Sequence, residues 1–148
     1  MTILKYSKDI NEYRLYTIIL IVEYNYFKHN KIEIYRIKYL IDKNSKFLER
    51  IFTDREMEYF KSKGFRAETI AGNFAAKEAI SKSIGTGIRK FNLRDIEVLR
   101  DELGKPIVKT YNNFKQICID YSISEIKVSI SHCKDYAIAN AIAITKEW

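Results

Sequence analysis

Among the acidic residues of this 148-residue chain, Glu78 has the neighbours that say most about chemistry. On a helix its face is shared by Ala71, Phe74, Ala75 and Lys82, at −7, −4, −3 and +4. A carboxylate flanked by apolar groups is costly to bury unless it is paired, hydrogen-bonded or bound to a metal. The spacing therefore allows a surface Glu–Lys pair, or a metal ligand or base at a cleft edge. Lys82 is followed by Gly85-Thr86-Gly87. Glycines permit close backbone approach to a phosphate, and a nearby Lys supplies a point charge. The same glycines also stop a helix, and they follow it rather than precede it, so this is no P-loop. His132 stands at the end of an apolar strand, beside Ser131, Cys133 and Lys134. A His next to a Lys at a loop mouth is a reasonable phosphate ligand. Ser131 and His132 face opposite sides of a strand and form no triad.

Arg36, Lys38, Lys43, Lys46 and Arg50 form a basic run, with Tyr24, Tyr26, Phe27, Tyr35 and Tyr39 nearby. The whole chain carries 26 Lys and Arg against 19 Asp and Glu, a net charge of +7. That excess asks for an acidic partner: nucleic acid, an anionic membrane, a polyphosphate or an acidic protein. No RNP-type or helix-turn-helix pattern supports nucleic acid. The most apolar run, Tyr16–Val22, is closed by Glu23 and is too short to span a bilayer as a helix. Residues Met1–Arg14 lack the apolar core of a signal peptide. Cys118 and Cys133 suit neither a disulfide framework nor a zinc site, which points to a cytoplasmic protein. With 47% hydrophobic residues the chain can bury a core, and no linker or repeat divides it.

The elements that must position these residues read as α+β. Thr17–Val22 and Ile32–Tyr35 are expected to be strands, and Arg36–Ile51 a short helical region. Thr53-Asp54-Arg55-Glu56 fits a capping box for a helix over Asp54–Lys63, ended by Gly64. A helix over Ala67–Ile84 carries Ala71, Ala75, Ala76 and Ala79, small residues that permit close packing. Ile96–Leu99 and Pro106–Lys109 read as strands around the turn Asp101–Lys105. Phe114, Ile117, Cys118 and Tyr121 recur at helical spacing and should share a buried face. Ile126–Ser131 and Tyr136–Thr145 close the chain as strands. The alternating Ala137, Ala139, Ala141 and Ala143 need something close against them, and the Ala-rich helix is the candidate.

Six ordered segments carry a family likeness. These are Phe47–Thr53, Ala71-Gly72-Asn73-Phe74-Ala75-Ala76-Lys77-Glu78-Ala79, Gly85-Thr86-Gly87, Asp95-Ile96-Glu97, Gly104-Lys105-Pro106 and Ser129-Ile130-Ser131-His132. From about Asn30 to Ile144 the chain resembles the holo-[acyl-carrier-protein] synthases, the small bacterial 4′-phosphopantetheinyl transferases. The resemblance implies their fold, an antiparallel sheet packed against a long Ala-rich helix. It also implies transfer of 4′-phosphopantetheine from coenzyme A to a serine of apo acyl carrier protein. Adenosine 3′,5′-bisphosphate would be released, Mg²⁺ required, and the active sites placed between subunits of a homotrimer. Such an enzyme serves fatty acid and lipid biosynthesis.

By the same resemblance Glu78 is a metal ligand, and Glu78, Lys82 and His132 are the catalytic residues. Lys82, Gly85, Thr86, Gly87, Pro106 and His132 bind coenzyme A. The serine proton would pass to Glu78 or to a water on the metal. Arg36, Lys43, Lys46 and Arg50 dock the acidic carrier protein in a salt-dependent way. Neither nucleic acid nor a membrane is then a partner.

One position departs from the pattern. Lys28-His29-Asn30-Lys31-Ile32-Glu33-Ile34-Tyr35-Arg36-Ile37 aligns with the family's opening strand, where Asn30 replaces the Asp that is the second metal ligand. Asn keeps a carbonyl oxygen without the charge, so Mg²⁺ should bind more weakly. The alternative function is accordingly a catalytically impaired relative that binds coenzyme A or carrier protein. Residues 1–28 are read as an N-terminal extension and 29–148 as the transferase domain.

Overall fold

Alternation of Ala with larger residues along 137–144 decides how the molecule is layered. The computed structural model describes residues 13–18, 32–85 and 90–146. Its main sheet is built on strand β6 (Tyr136–Lys146), which pairs antiparallel with β5 (Ile123–His132) along one edge. Along the other edge lie β1 (Tyr13–Ile18), from Tyr13↔Lys146 to Ile18↔Ala141, and the two-residue β2 (Ile32–Glu33), opposite Ala137 and Tyr136. A second, two-stranded sheet pairs β3 (Ile96–Arg100) with β4 (Pro106–Thr110). The predicted strand at Thr17–Val22 overlaps β1 only at Thr17 and Ile18: β1 begins four residues earlier, and 19–22 lie outside the described residues.

The four alanines of β6 are buried on one face of the main sheet, and helix α4 (Ala67–Ser83) packs on that face. The expected partnership of Ala strand and Ala helix is what forms. The approach is close: a Cβ added at Gly72 would lie 3.0 Å from Ile130 Cγ2 of β5. Ala75 to Ile84 pack with Ala139, Ala141, Phe91, Ile96, Val98 and Phe114. Ile70 and Ala71 belong to a second cluster, with Ala137, Ile34, Ile37, Phe52 and Phe60.

Helix α1 (Ile34–Lys43) begins two residues earlier than Arg36, because Ile34, Ile37 and Ile41 already share one apolar face. The strand expected over Ile32–Tyr35 is cut to β2 for the same reason. Asn44 interrupts the predicted helical stretch: its side-chain oxygen accepts from the Lys46 amide (3.1 Å) and starts α2 (Ser45–Ile51). Helix α3 (Asp54–Ser62) opens with the predicted capping box, both of its reciprocal bonds being present. Helix α5 (Asn112–Asp120) buries Phe114, Ile117 and Cys118. Tyr121 falls at its C-cap and is 53% exposed, so it leaves the face predicted for it.

Candidate active site

Helix α4 carries the candidate acid, and it also buries polar groups. Asn73, Lys77 and Ser81, spaced by four, are fully buried among apolar and small residues. The Lys77 ammonium touches three oxygens: Glu56 Oε2 (2.7 Å), the carbonyl of Ile51 (2.7 Å) and the carbonyl of Leu93 (3.1 Å). All three of its donors are thereby satisfied. Glu56 also accepts from the amides of Thr53 (2.9 Å) and Val98 (3.1 Å). Burial pushes the Glu56 carboxyl up and the Lys77 ammonium down, and their mutual attraction opposes both shifts. Asn73 donates to the Val98 carbonyl (2.8 Å) and accepts from Arg100 (2.9 Å). Glu97, also buried, accepts from Thr53 Oγ1 (2.7 Å), Arg55 (3.1 Å) and the Tyr111 hydroxyl (3.0 Å).

None of Glu56, Asn73, Lys77 and Glu97 is a site residue by sequence reasoning. The polar residues Asn73, Lys77 and Ser81, four apart on an Ala-rich helix, are the signal that points to Asn73 and Lys77.

Glu78 is half-buried on α4. Desolvation raises its carboxyl above the ordinary carboxylate value, and the positive charge of Lys82, one turn on, pulls it partway back. Among the described residues this carboxylate is short of compensating charge, the electrostatic setting that suits a bound cation. It is not the plain solvated Glu–Lys pair. Lys82 is half-buried in the last turn, and Gly85 follows at φ +77°, in the left-handed conformation that ends the helix. Thr86, Gly87 and the metal-ligand candidate Asn30 lie outside the described residues. Among the described residues no group of three or more His, Cys, Asp and Glu side chains is gathered to hold a metal ion.

His132 is exposed at the end of β5, opposite Ala137. Helix α4 begins near Ala137 and runs toward Ala141, so His132 lies beside its first turns. Lys82 is ten residues beyond Gly72, about 15 Å of helix rise. One chain thus holds Glu78 with Lys82 and places His132 at the far end of the same helix. Pro106 starts β4, opposite Arg100, and borders a cleft of about 630 Å³ between β4 and β5 lined also by Lys105, Val108, Ile126 and Lys127. Glu78, Lys82 and His132 do not line that cleft. Arg36, Lys43, Lys46 and Arg50 are all exposed on α1 and α2. Arg36 Nε lies 2.8 Å from Glu33 Oε2, and Lys43 lies over the Tyr39 ring.

The sequence pattern of the 4′-phosphopantetheinyl transferase superfamily matches residues 32–141. The chain belongs to this family. Within it, a holo-[acyl-carrier-protein] synthase of Thermoanaerobacter sp. (strain X514) is 53% identical over 116 residues, spanning 78% of this chain and 84% of that protein. The synthase of Alkaliphilus oremlandii is 52% identical over 113 residues, 76% of this chain and 93% of its own. Among solved structures, the holo-[acyl-carrier-protein] synthase of Neisseria meningitidis superposes with a TM-score of 0.69 at 32% identity, over 75% of this chain and 90% of that one. The Bacillus anthracis synthase, crystallised in complex with CoA (3′,5′-ADP), gives 0.63 at 33% identity, over 90% and 96%. The chain is therefore a phosphopantetheinyl transferase with the fold of the holo-[acyl-carrier-protein] synthases, and the α+β architecture expected of it is the one observed.

Proposed function

We propose that this transferase moves the 4′-phosphopantetheine group of coenzyme A to a serine of apo acyl carrier protein, with Mg²⁺ bound and adenosine 3′,5′-bisphosphate as the other product. The observation that carries the reading is Glu78: a half-buried, undercompensated carboxylate one turn from Lys82 on the helix that carries the family's most specific segment. The names of the half-identical relatives support the substrate pair, as does the coenzyme A complex of the Bacillus anthracis synthase.

In this reaction the serine oxygen forms a bond to the β-phosphorus of coenzyme A, and the bond from that phosphorus to the bridging oxygen breaks. Lys82 holds pyrophosphate charge from the end of α4, and the serine proton passes to a nearby carboxylate, for which Glu78 is the candidate. The donor set suits a hard cation: Mg²⁺ binds through one or two oxygen ligands together with substrate phosphates. Glu78 would hold it, with Asn30 as the second oxygen ligand that the resemblance of residues 28–37 to the family's opening strand implies. When bound it neutralises charge on the transferring group. His132 supplies its phosphate contact from a neighbouring copy, which is how a homotrimer with shared sites joins the two ends of α4. The exposed Arg36, Lys43, Lys46 and Arg50 face the acidic carrier. A cytoplasmic setting in fatty acid biosynthesis goes with these substrates.

The test is incubation with apo carrier protein, coenzyme A and Mg²⁺, followed by intact mass. A phosphopantetheine adduct on the carrier, lost in Glu78→Gln, supports the reading. No adduct, with coenzyme A still bound, refutes it in favour of an impaired relative. Asn30→Asp should lower the Mg²⁺ concentration that supports half-maximal transfer.

A further inference from the structure

Helix α4 has no apolar stripe to set its rotation. Ile70, Ala71, Gly72, Ala75, Ala76, Ala79 and Ile80 are buried around its circumference, and apart from the two Ile and the close fit of Gly72 against Ile130 they are small side chains of similar shape. Packing of such faces holds a helix near the sheet and leaves part of its rotation to other contacts. The polar contacts are different. Lys77 reaches the last carbonyl of α2, a carbonyl in the short turn before β3, and a carboxylate on α3. Asn73, one turn earlier, is fixed to β3. Turning the helix would break these contacts in a dry interior, where an unpaired polar group or charge is expensive.

We infer that Lys77 is a positioning residue for the transfer: its three-point anchorage fixes the rotation of α4 and so the direction in which the next residue, Glu78, is presented. The inference rests on Glu78 acting in the reaction proposed above. Side-chain atoms about 6 Å from a helix axis move roughly 2 Å for a 20° turn, given the dimensions of an α-helix. Reacting groups must be held within about 0.5 Å and 10–20°. A misplacement of about 1 Å can cost on the order of a hundredfold in rate. The Glu56–Lys77 pair then serves register rather than stability, a role for which buried ionic groups are suited.

Two variants separate positioning from simple stabilisation. Glu56→Gln/Lys77→Met removes both charges but leaves the Ile51 and Leu93 carbonyls unpaired, so its Tm should fall, though by less than in Lys77→Met alone. Its kcat should fall by about tenfold or more, with KM for coenzyme A changed less than about twofold. Glu56→Gln alone leaves Lys77 tied to Ile51 and Leu93. It should lower Tm yet keep kcat within about twofold of wild type. A purely structural network would make activity follow Tm in both.

A readout independent of catalysis is thiol labelling of Glu78→Cys in a Cys133→Ser background. Adding Glu56→Gln/Lys77→Met should change the labelling rate several-fold. A folded double variant with wild-type kcat and unchanged labelling would overturn the inference. If the wild-type chain transfers nothing, the functional reading fails on its own, and the labelling rates still decide the positioning role.

Discussion

At Glu78 stability and the proposed function pull in opposite directions. Desolvation raises its proton affinity in the folded protein, so between the ordinary carboxylate value and the raised one the folded state binds more protons than the unfolded state. Its contribution is therefore complete at acid pH and is lost as pH rises through the raised value. Glu78→Gln removes that loss. The variant should melt above wild type at neutral pH, with the gap closing toward pH 4, while its transfer activity disappears; thermal scans of metal-free protein across pH check the first part. Lys77 makes the opposite case. Lys77→Met strands the Glu56 carboxylate in a dry site and should cost about 3–5 kcal/mol by urea denaturation. Adding Glu56→Gln should recover most of that. Cys118 completes the set: burial pushes its thiol up to about 11, so at pH 8 only the exposed Cys133 should react with a thiol reagent in the folded chain.

The α3 capping box was legible in the sequence because both of its bonds span three residues, within reach of a local pattern. What Thr53 does beyond the box was not. Its hydroxyl also donates to Glu97, 44 residues away, and so ties the start of α3 to β3. Thr53→Ala should therefore cost more than an ordinary cap, about 2 kcal/mol or slightly above, with chemical denaturation as the measure. The same division runs through the other elements. The Ala alternation of β6 announced a close partner, and α4 is that partner. The break at Asn44 was hidden because the apolar spacing continues across it, while the side chain quietly offers the backbone another bond. Lys77 was read as part of a motif around Glu78 since its partners Ile51, Glu56 and Leu93 come from three separate segments. Glu78 and Lys82 were legible as a pair, one turn apart. That His132 lies at the other end of α4 depends on which way the helix crosses the sheet, and no spacing within the chain encodes that.

Over the whole molecule the net charge is +7, and Arg36, Lys43, Lys46 and Arg50 are exposed together on α1 and α2. Lys82 lies about 15 Å of helix beyond Gly72, whereas His132 stands at the end of β5, two residues past the Ile130 that Gly72 approaches. In the trimeric reading proposed above, two copies bring Lys82 and His132 to one place. For the trimer proposed above the outer face of the main sheet is the surface to test: Ile138 is 38% exposed there, on the side of β6 opposite the buried alanines, with Ile142 and Ile144 in the same alternation. Ile138→Glu should yield a monomer by light scattering and lose transfer activity without losing the fold, as judged by circular dichroism. Complementation gives the sharper outcome. Glu78→Gln and His132→Ala should each be inactive alone. Mixed and reassembled in equal amounts, they leave some junctions with Glu78 intact on one side and His132 on the other. For a closed ring with random mixing, about a quarter of the junctions are intact, so about a quarter of wild-type activity should return. No recovery from variants that do exchange subunits would place both residues on one chain and break the link between α4's two ends and assembly.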